Sequence, residues 1–283
     1  MKEGPGILYI VSTPIGNLED ITIRAIKVLS EVDIVACEDT RHTLKLLNHL
    51  NIKKPLISYH DNNRTMRTGQ LIEKLLAGNS IALVSDAGTP LISDPGEELV
   101  SAAAENGIKI TVIPGCTASV AALVLSGLST GRFAFEGFLP QRRSERIRYL
   151  ENIKYEERTL IFYEGPHRLK AMLNDVLEVF GDRKCAVVRE LTKIHEEVVR
   201  GSLSQILSHF ESNEPRGEFV IVVEGSKNKA PSEEKQNLAE LSVEEHVNYY
   251  IKQGQSRMQA MKSAARDRGM SKREIYDILN TDK

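Results

Sequence analysis

Residues 85–96, SDAGTPLISDPG, follow directly on the apolar run SIALV at 80–84. The run reads as a buried strand. The segment beyond it combines Gly88 and Gly96 with Pro90 and Pro95, a composition that predicts a tight double turn. Open α/β sheets place ligands outside the carboxyl ends of their strands, so a glycine-bearing polar loop at this point predicts a ligand edge. Backbone N–H and C=O groups there suit a nucleoside base, and the carboxylates of Asp86 and Asp94 suit sugar or amino groups. The same residues also fit a purely structural Asx-capped loop.

The pattern around this stretch repeats. Strand 7–12 (ILYIVS) leads into the turn TPIGN, and a helical stripe of Ile23, Ile26 and Leu29 follows, with Thr22 or Asp20 as N-cap. The run 32–36 ends at CEDTR, helices are predicted around Leu44–Leu50, 65–76 and 97–105, and strand 108–113 runs into PGCTAS. Strand–helix units of this size predict a mostly parallel sheet covered by helices. Farther along, strand candidates at 133–136, 158–163, 184–189 and 218–223 alternate with helical patterns at 143–153, 167–179 and 203–210. They predict a second α/β unit, with strand direction left open. The polar stretch 226–237 reads as a linker, and a capping box from Ser271 to Glu274 opens a last helix of the tail. The expected fold is therefore α/β: a domain over 1–115, a second over 116–225, and a small basic helical domain over 238–283.

Charge limits the partners. The 283 residues carry a net charge of −2 and no tryptophan, which excludes a uniformly basic coat and an extended stacking surface. Local patches remain: Arg142, Arg143, Arg146 and Arg148 outweigh Glu145, and Arg257, Lys262, Arg266, Arg268, Lys272 and Arg273 outweigh Asp267 and Glu274. Each patch reads as a phosphate contact or as a solvated helical face. Cys37, Cys116 and Cys185 sit in apolar runs and read as free buried thiols. No apolar segment approaches the roughly 20 residues of a membrane span, so the cytoplasm is the expected compartment. A G-x-G-x-x-G fingerprint, a P-loop and H-E-x-x-H are absent, which counts against NAD, ATP and a zincin-type metal; His167 and His195 lie in separate segments.

Three charged constellations start where strands end. They are Glu38, Asp39 and Arg41; Tyr163, Glu164, His167 and Arg168; and Arg189, Glu190, Lys193, Glu196 and Glu197. They either converge on one edge or tie helix ends to the sheet.

In order along 7–223, STPIGNLEDITIRA, ACEDTRHTLKLL, SDAGTPLISDPG, EGFLP, FYEGPHR and RELTKIHEE resemble the bacterial ribosomal RNA small subunit methyltransferase I family. That family is a 16S rRNA cytidine 2'-O-methyltransferase acting near the decoding centre. It belongs to the tetrapyrrole methylase-like class of S-adenosylmethionine-dependent methyltransferases. The resemblance implies two α/β domains with the cofactor cleft between them, a homodimer, and 16S rRNA as partner, within the small subunit. It implies that Pro14, Gly16 and Asn17 form the cofactor floor, with Asp86, Ala87, Gly88 and Thr89 at the glycine-rich loop. Thr117, Ala118 and Ser119 would form another wall, and backbone near Phe162, Tyr163 and Leu191 would close round the adenine. The family often has proline-serine where this chain has Cys116–Thr117.

A ribose hydroxyl loses its proton as it accepts the methyl group, so a carboxylate acceptor is expected. Strand-end placement points to Glu190 or Asp39, with Lys193, Arg41 and Arg189 orienting phosphate or sugar. Methylation of a tetrapyrrole, and non-catalytic RNA binding, are the competing readings.

Overall fold

The computed structural model describes residues 4–229 and 241–281. Most of the predicted linker, from residue 230, therefore lies outside the described residues, as do 1–3, 238–240 and 282–283. The chain falls into two compact units, one ending at Ser226 and one starting at Lys227.

The first unit holds two five-stranded sheets. β1 (Ile7–Val11), β2 (Ile34–Cys37), β3 (Leu56–Ser58), β4 (Ile81–Val84) and β5 (Lys109–Ile113) build the first, in the order β3-β2-β4-β1-β5. All its pairings are parallel. Between them run α1 (Ile23–Glu31), α2 (Thr40–His49), α3 (Arg64–Leu76) and α4 (Glu97–Glu105). Helices cover both faces: Leu29 and Leu47 pack on one, and Leu71, Leu75 and Leu99 on the other. Burial on both sides explains why β2 and β4 are unbroken apolar runs. Of the two candidate caps, Thr22 is the one used: its Oγ1 accepts the Ala25 N–H at 3.1 Å.

The second sheet orders its strands β6-β7-β10-β8-β9. These are β6 (Phe133–Phe138), β7 (Thr159–Glu164), β8 (Lys184–Arg189), β9 (Glu197–Ser202) and β10 (Phe219–Val223). β6 and β7 are parallel and the other pairings antiparallel, which settles the direction left open by the sequence. α5 (Ala118–Ser126) packs Ala122 and Leu123 on one face. The opposite face is covered by α6 (Arg143–Ile153), α7 (Leu169–Phe180) and α8 (Leu203–Ser212). β9 was not predicted. It is an edge strand with no fully buried residue, so it lacks the apolar run that marks its neighbours.

In the second unit α9 (Val243–Lys252), α10 (Arg257–Arg268) and α11 (Lys272–Thr281) surround a small core of Val247, Ala260, Met261, Ala264, Ala265 and Ile275. The predicted Ser271–Glu274 capping box forms. No helix among the described residues is long and apolar enough to cross a membrane.

Candidate functional site

Where β4, β7 and β8 end and β10 begins, the two sheets face each other across a cleft of about 420 Å³. The loop 85–96 forms one lip. Four of its residues hold positive φ: Gly88 (88°), Leu91 (71°), Ser93 (64°) and Gly96 (149°). Side chains rarely adopt such angles, at a cost of about 1–2 kcal/mol each for the non-glycines. Gly96 has a further reason to be glycine, since an added Cβ would stand 2.9 Å from the Leu91 side chain. The loop is tied to β1 through Thr13 N–H donating to the Gly88 carbonyl at 2.9 Å and the reverse bond at 3.1 Å. The Thr89 hydroxyl joins three loops, lying 3.0 Å from Ser12 Oγ and 2.9 Å from Thr117 Oγ1 and donating to the Cys116 carbonyl at 3.0 Å.

Asp86, Ala87, Gly88, Thr89, Thr117, Ala118, Tyr163 and Leu191 all line this cleft. Ser119 supports it from beneath: it is buried, and its N–H donates to the Tyr163 hydroxyl at 3.1 Å. Phe162 turns its ring away, into the core under α7. Pro14 is buried, and Ile15 beside it supplies the apolar floor. The Gly16–Asn17 turn packs on the loop 191–193 instead of lining the cleft. An added Cβ on Gly16 would lie 3.1 Å from the Leu191 carbonyl oxygen, and the Asn17 N–H donates to Thr192 Oγ1 at 3.2 Å.

The five expected catalytic residues separate. Lys193 lines the cleft, with Nζ 3.0 Å from Glu190 and 2.8 Å from Glu218. Glu190 sits behind it, accepting the Glu218 N–H at 3.0 Å. Burial pulls the Glu190 carboxyl up, but that N–H and Lys193 outweigh it and hold the group below its ordinary value. Asp39 caps α2, accepting the Arg41 N–H at 2.8 Å, and pairs with the Arg41 guanidinium. These bonds hold its carboxyl far below the usual range, which suits a cap and not a proton acceptor. Arg189 donates to the Arg216 carbonyl at 2.7 Å and meets Glu197 at 3.2 Å, away from the cleft.

Three further carboxylates line the cleft: Asp94 and Glu164, which the sequence marked as strand-end ligand groups but not as proton acceptors, and Glu218, which it did not mark. Burial raises Glu164 despite its Gly165 N–H bond and the charges of Arg168 and Arg146. Asp94 is raised to about 6, by burial first and then by Glu38 and Asp86, with the Ser85 hydroxyl opposing. The signal available in the sequence was the SDPG ending of the loop, where the residue before proline is held extended.

Of the basic candidates, Arg142 and Arg148 are exposed. Arg143 reaches Asp175 at 2.9 Å and Glu178 at 2.6 Å. Arg146 is 5% exposed and bonds Asp175 and the carbonyls of Pro140 and Gln141, so it has no group left for a phosphate. In the second unit Arg257, Lys262, Arg266, Lys272 and Arg273 are exposed, and Lys262 and Arg266 share a shallow groove with Gln255 and Gln259. Among the described residues no His, Cys, Asp and Glu group could hold a metal, and all three cysteines are free, although Cys116 is only partly buried.

A parallel sheet feeding a mixed one, with strand-end loops meeting in a cleft, is the arrangement of the tetrapyrrole-type methylases. Residues 7–207 match the family Tetrapyrrole (Corrin/Porphyrin) Methylases. Ribosomal RNA small subunit methyltransferase I of Bacillus subtilis (strain 168) is 48% identical over 279 residues, 99% of this chain and 96% of that protein. The protein of the same name from Thermotoga maritima is 47% identical over 222 residues, 78% of this chain and all of that protein. The chain belongs to the tetrapyrrole methylase family, within the group named ribosomal RNA small subunit methyltransferase I. A crystal structure of uroporphyrin-III C-methyltransferase from Thermus thermophilus, complexed with S-adenosylhomocysteine, shares the fold. It has a TM-score of 0.56 and 20% identity, covering 77% of this chain and 97% of that one.

Proposed function

We propose that this chain transfers a methyl group from S-adenosylmethionine to the 2'-oxygen of a cytidine ribose in 16S rRNA, near the decoding centre. The near-full-length identity to a relative named for small-subunit rRNA methylation carries the reading. The cleft fits the cofactor. Its volume lies in the range of small-molecule sites, Ile15, Val188, Leu191 and Val220 supply apolar wall, and the 86–89 backbone supplies polar edges. Four carboxylates against Lys193 also suit a ligand with positive charge.

S-adenosylmethionine, when bound, supplies the methyl group as an electrophile on its sulfonium. The chain's own residues bind and align. Asp86–Thr89 and Thr117–Ala118 hold the nucleoside, while Tyr163 and Leu191 close over it. Lys193 orients the acceptor backbone, its position set by Glu190 and Glu218. Exposed Arg142 and Arg148, with Arg257, Lys262, Arg266, Lys272 and Arg273 of the second unit, contact phosphates. The same reading takes the enzyme to be a cytoplasmic homodimer acting on rRNA within the small subunit.

The test is incubation with methyl-labelled S-adenosylmethionine and, separately, naked 16S rRNA, small subunits and a porphyrinogen. Nuclease digestion and mass spectrometry should find the label in 2'-O-methylcytidine. Label on a base, or on the porphyrinogen alone, would overturn the assignment.

A further inference from the structure

Resting on the methyl-transfer reading above, we propose that Asp94 is the catalytic carboxylate that receives the proton of the acceptor hydroxyl.

Of the four carboxylates lining the cleft, three are engaged. Asp86 accepts the Asp39 N–H at 3.1 Å. Glu164 accepts the Gly165 N–H at 2.9 Å and lies 3.2 Å from Arg168. Glu218 pairs with Lys193 at 2.8 Å, its side chain 79% exposed to water. Asp94 has neither an ion-pair partner nor a backbone N–H donor among the described residues, and only the Ser85 hydroxyl opposes the rise of its pKa. A carboxylate stripped of stabilising partners is a stronger base than one that is bonded.

The loop holds Asp94 in place. Ser93, immediately before it, has φ 64°, and Pro95 fixes the backbone after it. Ser93 Oγ abuts the second sheet, where a Cβ on Gly137 would lie 3.3 Å away. The carboxylate thus stands on the lip of the first sheet at the point where the second sheet comes against it. The groups acting on it electrostatically are Glu38 at the end of β2 and Asp86 in its own loop, and Tyr163 of β7 feels its charge in turn. Burial first, and then the charges of Glu38 and Asp86, place its titration at about 6, so it is ionised yet basic at neutral pH.

The bookkeeping of the step is closed. The hydroxyl oxygen forms the new O–C bond with its own electron pair, and the C–S bond breaks with its pair going to sulfur. The O–H proton passes to an Asp94 oxygen and then to solvent. No further reactant is needed.

Asp94→Asn tests this. Single-turnover methylation of small subunits at saturating cofactor should fall at least about 100-fold, the ordinary scale of general-base catalysis. Cofactor affinity, read by calorimetry without RNA, should stay within about threefold, which also shows that the variant folds. In the cofactor-free wild type, carboxyl infrared or carbon NMR should show a group titrating near 6 that the variant lacks. The wild-type rate should decline below that pH. A variant rate within about fivefold of wild type overturns the proposal. So does a variant of unchanged rate at saturation with cofactor affinity reduced about tenfold, which would make Asp94 a cofactor holder. If the wild type itself methylates no acceptor, the methyl-transfer reading fails first, a result distinct from an active wild type with an equally active variant.

Discussion

Gly16, on the turn after the first strand, lies so close to Lys193 of the second half that an added Cβ would stand 2.4 Å from Lys193 Cγ. Two loops 177 positions apart in sequence are thereby pressed together, so that Lys193 packs beside the turn that follows Ile15 on the cleft floor. Gly16 has an ordinary backbone conformation. Its requirement is space.

Gly16→Ala should therefore destabilise the first unit by about 1–3 kcal/mol, the usual cost of overpacking. The Thr192 hydroxyl and Leu191 carbonyl, at 3.0 and 3.1 Å from the same Cβ, leave no side for it to escape. Urea unfolding reads the stability. Because Leu191 and Lys193 line the cleft, cofactor affinity should fall as well.

Asp94 makes a stability prediction independent of its chemistry. Its folded carboxyl keeps a proton up to about pH 6, whereas the unfolded one releases it near 3.8. Between those values the folded state binds more protons, so this group lowers stability as pH rises through the window. Asp94→Asn removes that penalty. Its melting temperature should exceed that of wild type at pH 7.5, and the difference should close below pH 4. Equal melting temperatures at both pH values would contradict the environment described for this side chain.

Arg146 and Arg148 stand two positions apart on α6 with opposite fates. Arg146→Ala leaves Asp175, whose side chain is 4% exposed, with only the half-exposed Arg143, and should cost about 3–5 kcal/mol of stability. RNA affinity per folded molecule should not change. Arg148→Ala should leave the melting temperature alone and reduce the slope of log affinity against log salt by about one. Filter binding across a salt series separates them.

His246 is fully buried in the second unit, stacked on Tyr250 at 5.6 Å, with the Arg268 guanidinium donating to Nδ1 at 2.9 Å. Burial, then Arg268, lowers its pKa below 6.5, although Asp267 opposes. The unfolded imidazole takes a proton as pH falls below about 6.5 while the folded one resists, so this unit loses stability on acidification. Hydrogen exchange on the whole chain should show α9–α11 loosening between pH 6.5 and 5 more than the β4 core. The loss should disappear in His246→Gln.

Much of the architecture was written in local pattern. The parallel first sheet, the cap at Ser271 and the helix limits at 97–105 and 143–153 follow from apolar periodicity and capping chemistry, which act over a few residues and narrowed the cap of α1 to Thr22 or Asp20. So does the placing of the glycine loop at a strand end, because strand and turn are adjacent in sequence. β9 escaped, since an edge strand half exposed on both faces carries no periodic signature. Among site residues, those on short loops after strands were legible as a group: Asp86–Thr89, Thr117, Ala118, Tyr163 and Leu191 do meet in one cleft.

What tertiary structure decided is the state of each charge. Asp39, Glu190 and Asp94 are all acids at strand-end loops, and nothing local ranks them as bases. Asp39 is spent on a helix cap and Arg41, Glu190 on Lys193 and a backbone N–H from a distant strand, and Asp94 is left desolvated near Glu38. Sequence by itself determined which elements form and which loops share an edge. Desolvation and partner distance depend on residues far apart in the chain, so only the assembled fold determined which carboxylate remains free to take a proton.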